Sequence, residues 1–386
     1  MDEFNYLQRK NFSEMKITII AGARPNFMKI APVIAAIQAK QQQGYPLSYR
    51  LVHTGQHYDK NMSDSFFEQL GIPAPDANLE SGGGSQAEQT ANIMIRFEKD
   101  LVEHPCDLLL VVGDVTSTLA CSIVAKKMKV KVAHVEAGIR SGDITMPEEI
   151  NRLVTDSITD YFFTTSDIAN ANLKREGKAA EQILFVGNTM IDTLLKQRSR
   201  FRAPAIFEEA GLQPQQYMVM TLHRPANVDE ENNLALLIDE IMNNSHGLPV
   251  VFPVHPRTAK NLEKIAVAHP MLHLVEPLGY LEFNYLVERA KAVITDSGGI
   301  TEETTVMGVP CMTLRDSTER PETCTVGTNE LLGTDPRALA PAMKKLFAGE
   351  WKKGSIPPLW DGHTSERIVD TLIKLFKIEQ QPVKAS

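Results

Sequence analysis

The sequence predicts an α/β protein built from two doubly wound parallel sheets. Three observations carry that expectation. Short apolar, β-branched runs recur along the chain, amphipathic stretches separate them, and the alternation pauses once near the middle before resuming. The length of 386 residues is a further reason for two domains, because it exceeds what one hydrophobic core organises.

Taken in order, KITII (16 to 20), YRLVHT (49 to 54), DLLLVVG (107 to 113), KVAHVEA (131 to 137), DYFFTTS (160 to 166) and QILFVGN (182 to 188) read as buried strands. Strands covered by helices on both faces are apolar almost throughout, as these are. STLACSIVAKKM reads as a helix, because Leu119 with Ile123 and Ala120 with Val124 recur at i, i+4. LLKQRSRFRAPAIFEEAGLQPQQ (194 to 216) is polar and carries two prolines, so it reads as a linker region. The expected boundaries are a first domain over 1–195 and a second over 205–363. In the second, YMVMTLH, LPVVFPVH, MLHLVE, KAVITDS and VPCMTL supply the strands. TSERIVDTLIKLF reads as an amphipathic helix capped by Thr364 or Ser365, with Ile368, Leu372 and Leu375 on one face.

A net charge of −8 argues against a broad electrostatic nucleic-acid surface, though not against a small anion held by a few local cations. The four cysteines are scattered without a CxxC pair and read as free thiols. No apolar run approaches the ~20 residues of a membrane helix, and the N-terminus lacks the apolar core of a signal peptide. A cytoplasmic protein with no membrane partner is the expectation.

In open α/β sheets, ligands bind outside the carboxyl ends of the strands. After the first strand, GARPNFMK brings Gly22, Arg24, Pro25 and Lys29 to a helix start. These cations fit an anion contact, and equally a capped turn with solvated charges. Neither GxGxxG nor a Walker lysine pattern is present. ITDSGGITEETTVMGVP (294 to 310) reads as a strand, a Ser297-Gly298-Gly299 turn and a helix ended by Gly308, with Glu302 and Glu303 in its first turn. The glycine amides suit a phosphate and a first-turn glutamate suits ribose hydroxyls, whereas the helix dipole alone would also account for the glutamates. Two glycines are more than a capping turn needs, which favours a ligand.

LHRPANV and PVHPRT place His223, Arg224 and His255 just after strands, and RDSTERPET adds Arg320. No histidine pair at i, i+4 accompanies a carboxylate and no cysteine pair joins them, so no metal is expected. Asp114 in VVGDVTS has the position of an ordinary helix cap. It gains weight because the next strand ends in Glu136 and the following loop carries Glu148. Three carboxylates at adjacent strand ends would face one pocket, where proximity raises one pKa and suits proton transfer.

Together the motifs resemble the non-hydrolysing UDP-N-acetylglucosamine 2-epimerases. GARPNFMKIAP, TGQH, GDVTST, HVEAG, PEEINR, GNTMID, LHRP, PVHP, TDSGGITEE and RDSTERPE occur in order across residues 16 to 334. The resemblance implies two Rossmann-like domains facing a cleft, of the GT-B type, with the C-terminal helix 364–386 returning to the first domain. It implies a homodimer that takes a UDP-sugar, needs no cofactor, and interconverts UDP-GlcNAc and UDP-ManNAc by eliminating and re-adding UDP through 2-acetamidoglucal. Position by position, it implies acid–base roles for Asp114, Glu136 and Glu148, and a catalytic His223 near the pyrophosphate. Arg24 and Lys29 would border the UDP, Ser297, Gly298 and Gly299 would form the diphosphate loop, and Glu303 would contact ribose. Phe283 would lie on the uracil side, and Arg320 would be a further substrate contact.

The chain departs from the family in two places. It reads SGDITMPEE where many members carry a longer, aromatic-containing segment, and TGQHYDKNMS and SGGGSQAEQT where some members hold an activating UDP-GlcNAc. Gln56, Arg224 and His255 remain as a candidate allosteric set, and the altered loops predict either weakened activation or a different activating sugar. A 2-epimerase of a related UDP-diacetamido sugar, a glycosyltransferase of the same architecture, a hydrolysing epimerase and an idle nucleotide-sugar binder are the rival readings. Retention of Asp114, Glu136 and Glu148 argues against the last.

Overall fold

The computed structural model describes residues 14–55, 71–229, 231–254, 256–265 and 269–382. Two compact units divide the chain: Met1–Thr193 together with Pro358–Ser386, and Leu194–Pro357.

In the first unit, β1 (Met15–Ala21), β2 (Leu47–His53), β3 (Ala77–Asn78), β4 (Leu108–Val112), β5 (Lys131–Val135), β6 (Tyr161–Thr164) and β7 (Ile183–Phe185) form one parallel sheet. Its order is β3-β2-β1-β4-β5-β6-β7, so the winding reverses between β1 and β4. Ile17 of β1 pairs with Tyr49 on one side and Leu108 on the other. Every residue of β4 is buried, which is why that strand reads as a continuous apolar run.

Helices cover both faces. α1 (Arg24–Gln42) starts after β1, and α2 (Gln86–Glu103) starts at Ser85, whose hydroxyl and the Glu88 carboxylate form a reciprocal capping box. Part of the divergent SGGGSQAEQT loop is therefore a helix start. In α3 (Thr116–Lys127) the buried face is Ala120, Cys121, Val124 and Ala125, while Leu119 and Ile123 are only half-buried. α4 (Pro147–Ile158), α5 (Asp167–Arg175) and α6 (Thr189–Gln197) complete the set used below.

The second unit repeats the plan. β8 (Met218–Thr221), β9 (Val250–Pro253), β10 (Leu272–Val275), β11 (Ala292–Thr295), β12 (Cys311–Thr313) and β13 (Asn329–Leu331) pair in parallel in the order β10-β9-β8-β11-β12-β13. The reversal here lies between β8 and β11. The segment expected to be a linker is instead part of this core. It contains α7 (Ala205–Glu209), Leu212 is buried, and Phe207 packs edge-on against the buried ring of Tyr217, whose hydroxyl donates to the Leu286 carbonyl. The apolar anchors were hidden among charged neighbours.

The chain then returns to the first unit. The indole of Trp360 is buried and donates to the Thr165 carbonyl. α15 (Thr364–Leu375), the last of the helices, buries Ile368, Val369 and Leu372 against α1, while Leu375 is exposed. Neither Thr364 nor Ser365 caps it. The cap comes from Asp192 of α6, whose two carboxylate oxygens accept from the Thr364 and Ser365 amides at 3.1 and 2.7 Å. Gly187 makes the close passage feasible: its φ is +105°, and a Cβ there would lie 2.1 Å from the Leu359 carbonyl oxygen. Among the described residues, no helix is long and apolar enough to cross a membrane.

Candidate active site

The winding reverses between β1 and β4, and the carboxyl ends of strands at such a reversal are the usual place for a ligand. The turn out of β1 is organised by Asn26. Its side-chain oxygen accepts from the Gly22 and Ala23 amides, and its amide nitrogen donates to the Val112 carbonyl at the end of β4. One turn further along α1, Lys29 reaches Glu136 at 2.6 Å, with both side chains largely buried. Glu136 follows β5 at a φ of +69°, a left-handed conformation that costs a non-glycine residue on the order of 1–3 kcal/mol. The backbone on either side is held: Gly113 N donates to Val135 O, and Ala137 N to Phe163 O. Gly113 lies against the ion pair, since a Cβ there would be 3.3 Å from Lys29 Nζ and 3.8 Å from Glu136 Oε2.

Asp114 is the next residue. Its Oδ2 accepts from Arg152 Nε and Nη2 at 2.9 and 2.6 Å, and its carbonyl accepts from the Asn151 amide. Arg152 also donates to Glu149. Burial pushes the Glu149 carboxyl up, but the Ser141 and Gly142 amides and Arg152 outweigh it and hold the group below the usual carboxylate range. Glu149 is thus a structural clamp on the loop, whereas Glu148 beside it is exposed in the first turn of α4. Asp143 is also exposed and serves its own turn by accepting from Thr145.

The crowded carboxylates at this sheet end are therefore relieved mainly by cations rather than by sharing protons. Asp114 and Glu136 come together around Gly113, each facing a basic side chain.

The corresponding reversal of the second unit lies between β8 and β11 and is furnished differently. Asp296, fully buried after β11, accepts from the His223 amide, the Arg224 amide and the Asn227 side chain. Its Oδ1 also lies 2.7 Å from His223 Nδ1. Burial pushes Asp296 up, and these donors with His223 bring it below the ordinary range. With Nδ1 engaged, the half-exposed imidazole presents Nε2 outward. Arg224 is drawn into the same turn through Nε to the Asp296 carbonyl.

α12 (Gly298–Met307) begins here. Ser297 occupies the N-cap position without a side-chain cap, leaving the opening turn of Gly298 and Gly299 to offer backbone amides to an anion. Gly298 sits over the buried Arg315–Glu319 pair. Glu302 and Glu303 were expected in the first turn of this helix, but it starts at Gly298, so they fall in the second turn and are buried. Glu302 pairs with Arg320, itself nearly buried. Glu303 accepts from the Tyr280 hydroxyl at 2.8 Å; burial pushes its carboxyl up to about 7. Tyr280 belongs to α11 (Tyr280–Arg289), on which Phe283 is half-buried beside the core.

Gln56 and His255, and the side chain of Arg24, lie outside the described residues. Among the described residues, no group of three His, Cys, Asp or Glu side chains converges as metal ligands would. Sequence reasoning missed Asp296, Arg152, Glu149, Tyr280 and Asn26. For Arg152 a signal existed, since it stands at i+3 from Glu149 and i+4 from Glu148 on one helix. Asp296 was read only as the end of a strand.

Comparison with known proteins identifies the family. A family profile described as UDP-N-acetylglucosamine 2-epimerase matches residues 39–373. The UDP-N-acetylglucosamine 2-epimerase of Methanocaldococcus jannaschii is 39% identical over 371 residues, covering 93% of this chain and 99% of the relative. Its crystal structure in complex with UDP-GlcNAc and UDP matches with a TM-score of 0.83, at 38% identity, over 93% of this chain and all of that one. The UDP-2,3-diacetamido-2,3-dideoxy-D-glucuronate 2-epimerase of Pseudomonas aeruginosa is 39% identical over 365 residues, 94% of this chain and 100% of the relative. A profile spanning most of the chain, and full-length relatives at this identity, place the chain in the UDP-N-acetylglucosamine 2-epimerase family.

Proposed function

We propose that the protein interconverts UDP-GlcNAc and UDP-ManNAc. The observation that carries this reading is the pairing of Lys29 with Glu136 and Arg152 with Asp114 around Gly113, where the first sheet reverses. The C2 hydrogen of the sugar has no adjacent carbonyl, so simple deprotonation to a stabilised carbanion is not open. Elimination avoids this. A carboxylate takes the C2 proton, the C1–O bond breaks with its electron pair leaving on UDP, and 2-acetamidoglucal remains. UDP then re-adds at C1 while the proton returns to the other face of C2.

Asp114, Glu136 and Glu148 are the acid–base groups in this reading. Charge developing on the departing pyrophosphate is met by His223, Arg320 and the amides of Ser297, Gly298 and Gly299. Glu303 takes the ribose, Phe283 the uracil side, and Arg24 with Lys29 borders the UDP. The four cysteines are free, in keeping with work in the cytoplasm. Exposed Ile95 and Val102 on α2, and Ile150 on α4, are in keeping with a homodimer.

Proton NMR of UDP-GlcNAc with the enzyme in D2O tests the reaction. Deuterium at C2 is expected as UDP-ManNAc appears, and turnover with the C2 hydrogen fully retained would refute elimination. A second reading, a UDP-diacetamido uronic acid sugar as substrate, is favoured by the equal identity of the Pseudomonas relative. Comparing kcat/KM on the two sugars decides between them.

A further inference from the structure

We infer that His134 and Asp156 form a buried positioning dyad that sets the geometry of all three acid–base carboxylates, an inference that rests on the elimination reading above. His134 lies in β5 with 1% of its surface exposed, and Asp156 in α4 is fully buried. His134 Nε2 lies 2.8 Å from the Gly113 carbonyl oxygen and Nδ1 lies 2.7 Å from Asp156 Oδ1. The Gly113 carbonyl is an acceptor, so Nε2 faces it as a donor, and Nδ1 faces the Asp156 carboxyl. The second oxygen of Asp156 accepts from the Gly138 amide at 2.9 Å and from Arg140 Nη1 at 2.8 Å.

Each end of this chain of contacts is one or two peptides from a proposed reacting group. Gly113 immediately precedes Asp114. Gly138 is two residues beyond Glu136, whose left-handed backbone needs holding from both sides. Asp156 is on the same helix as Glu148, one turn beyond Arg152, the partner of Asp114. One imidazole and one carboxylate therefore lock the β4 turn, the β5 turn and α4 to one another. None of these contacts leaves a group directed at substrate, so the dyad acts through the residues that it places.

The two amide analogues of histidine separate positioning from general stability. In His134→Gln the side-chain nitrogen can replace Nε2 and keep the donor to Gly113. In His134→Asn it replaces Nδ1 and keeps only the contact with Asp156. Misplacing a reacting group by about 1 Å costs on the order of 10²-fold in rate. The expected result is a kcat lower by about 10²-fold in His134→Asn and by about tenfold or less in His134→Gln, with KM and UDP affinity within about twofold of the parent. Asp156→Asn should likewise lower kcat and spare UDP affinity. Equal kcat in the two His134 variants, or losses in kcat that track only the folded fraction, would overturn the inference. If both His134 variants fail to fold, Asp156→Asn decides, and its failure to fold as well would assign the pair to stability alone. Deuterium incorporation at C2 by the parent enzyme is measured alongside. Its absence would sink the elimination reading, whereas its presence with undiminished variants would sink only the dyad.

Discussion

The two sheet reversals occupy the same topological position and are furnished in opposite ways. Between β1 and β4 the proposed reacting groups are carboxylates, and the side chains paired with them are the cations Lys29 and Arg152. Between β8 and β11 the presented groups are His223, Arg224 and glycine amides, and the supporting group is one buried carboxylate, Asp296. In the function proposed above, the same backbone plan serves proton transfer in one unit and anion binding in the other. The difference lies in which charge sign is presented and which is buried beneath it, and a fold-level description alone misses it.

That contrast breaks most sharply in the first unit. Glu136→Gln and Asp114→Asn should each lower kcat by about 10²–10⁴-fold, the range for an acid–base group, with UDP affinity preserved. Steady-state kinetics paired with calorimetric titration of UDP would check both halves; near-parental kcat in both variants would return these residues to a structural role.

The next effect concerns pH and the second unit. The Glu303 carboxyl is raised from 4.5 to about 7, so the folded protein binds a proton there that the unfolded chain releases. Its influence on stability is neutral below pH 4.5, becomes unfavourable as pH rises through that window, and is complete above about 7. A shift of this size corresponds to about 3 kcal/mol, and Glu303→Gln should flatten that part of the profile. Urea unfolding at pH 5 and pH 8 of parent and variant measures it.

A smaller effect is expected at Asp296→Asn, which keeps acceptors for the His223 and Arg224 amides but no longer holds His223 Nδ1 by charge. UDP affinity should fall by about tenfold, the scale of one charge-assisted hydrogen bond, and kcat should fall less than in the first-unit variants. A variant that loses kcat while keeping UDP affinity would contradict the division of labour. The smallest effect concerns activation. Conversion of purified UDP-ManNAc should begin without a lag, and trace UDP-GlcNAc should change its initial rate by less than about twofold, below the usual range of allosteric coupling. A long lag removed by UDP-GlcNAc would show the opposite.

How far the sequence disclosed all this depended on range. Eleven of the strands were legible as short runs rich in apolar residues, most plainly β4, which is buried along its whole length. The edge strands β3 and β13 escaped notice because two or three residues carry no period. Carboxylates at strand ends stood out by position, but their partners did not, since Lys29 and Glu136 are 107 residues apart and Arg152 and Asp114 are 38 apart. The 194 to 216 segment was misread because Phe207, Leu212 and Tyr217 stand five residues apart among charges, a spacing that matches neither the helical nor the strand period.

The return of the chain to its first unit has a consequence for how the protein is made. The second unit, Leu194–Pro357, is contiguous and can be completed while the ribosome is still translating. The first unit cannot, because Asp192 waits for the amides of Thr364 and Ser365, and Thr165 for the indole of Trp360. The unit synthesised first is therefore the last to close, and a nascent chain stalled before residue 358 exposes the α1 surface that α15 covers. A chain ended near residue 358 keeps every proposed reacting group and still lacks the elements that close the sheet carrying them.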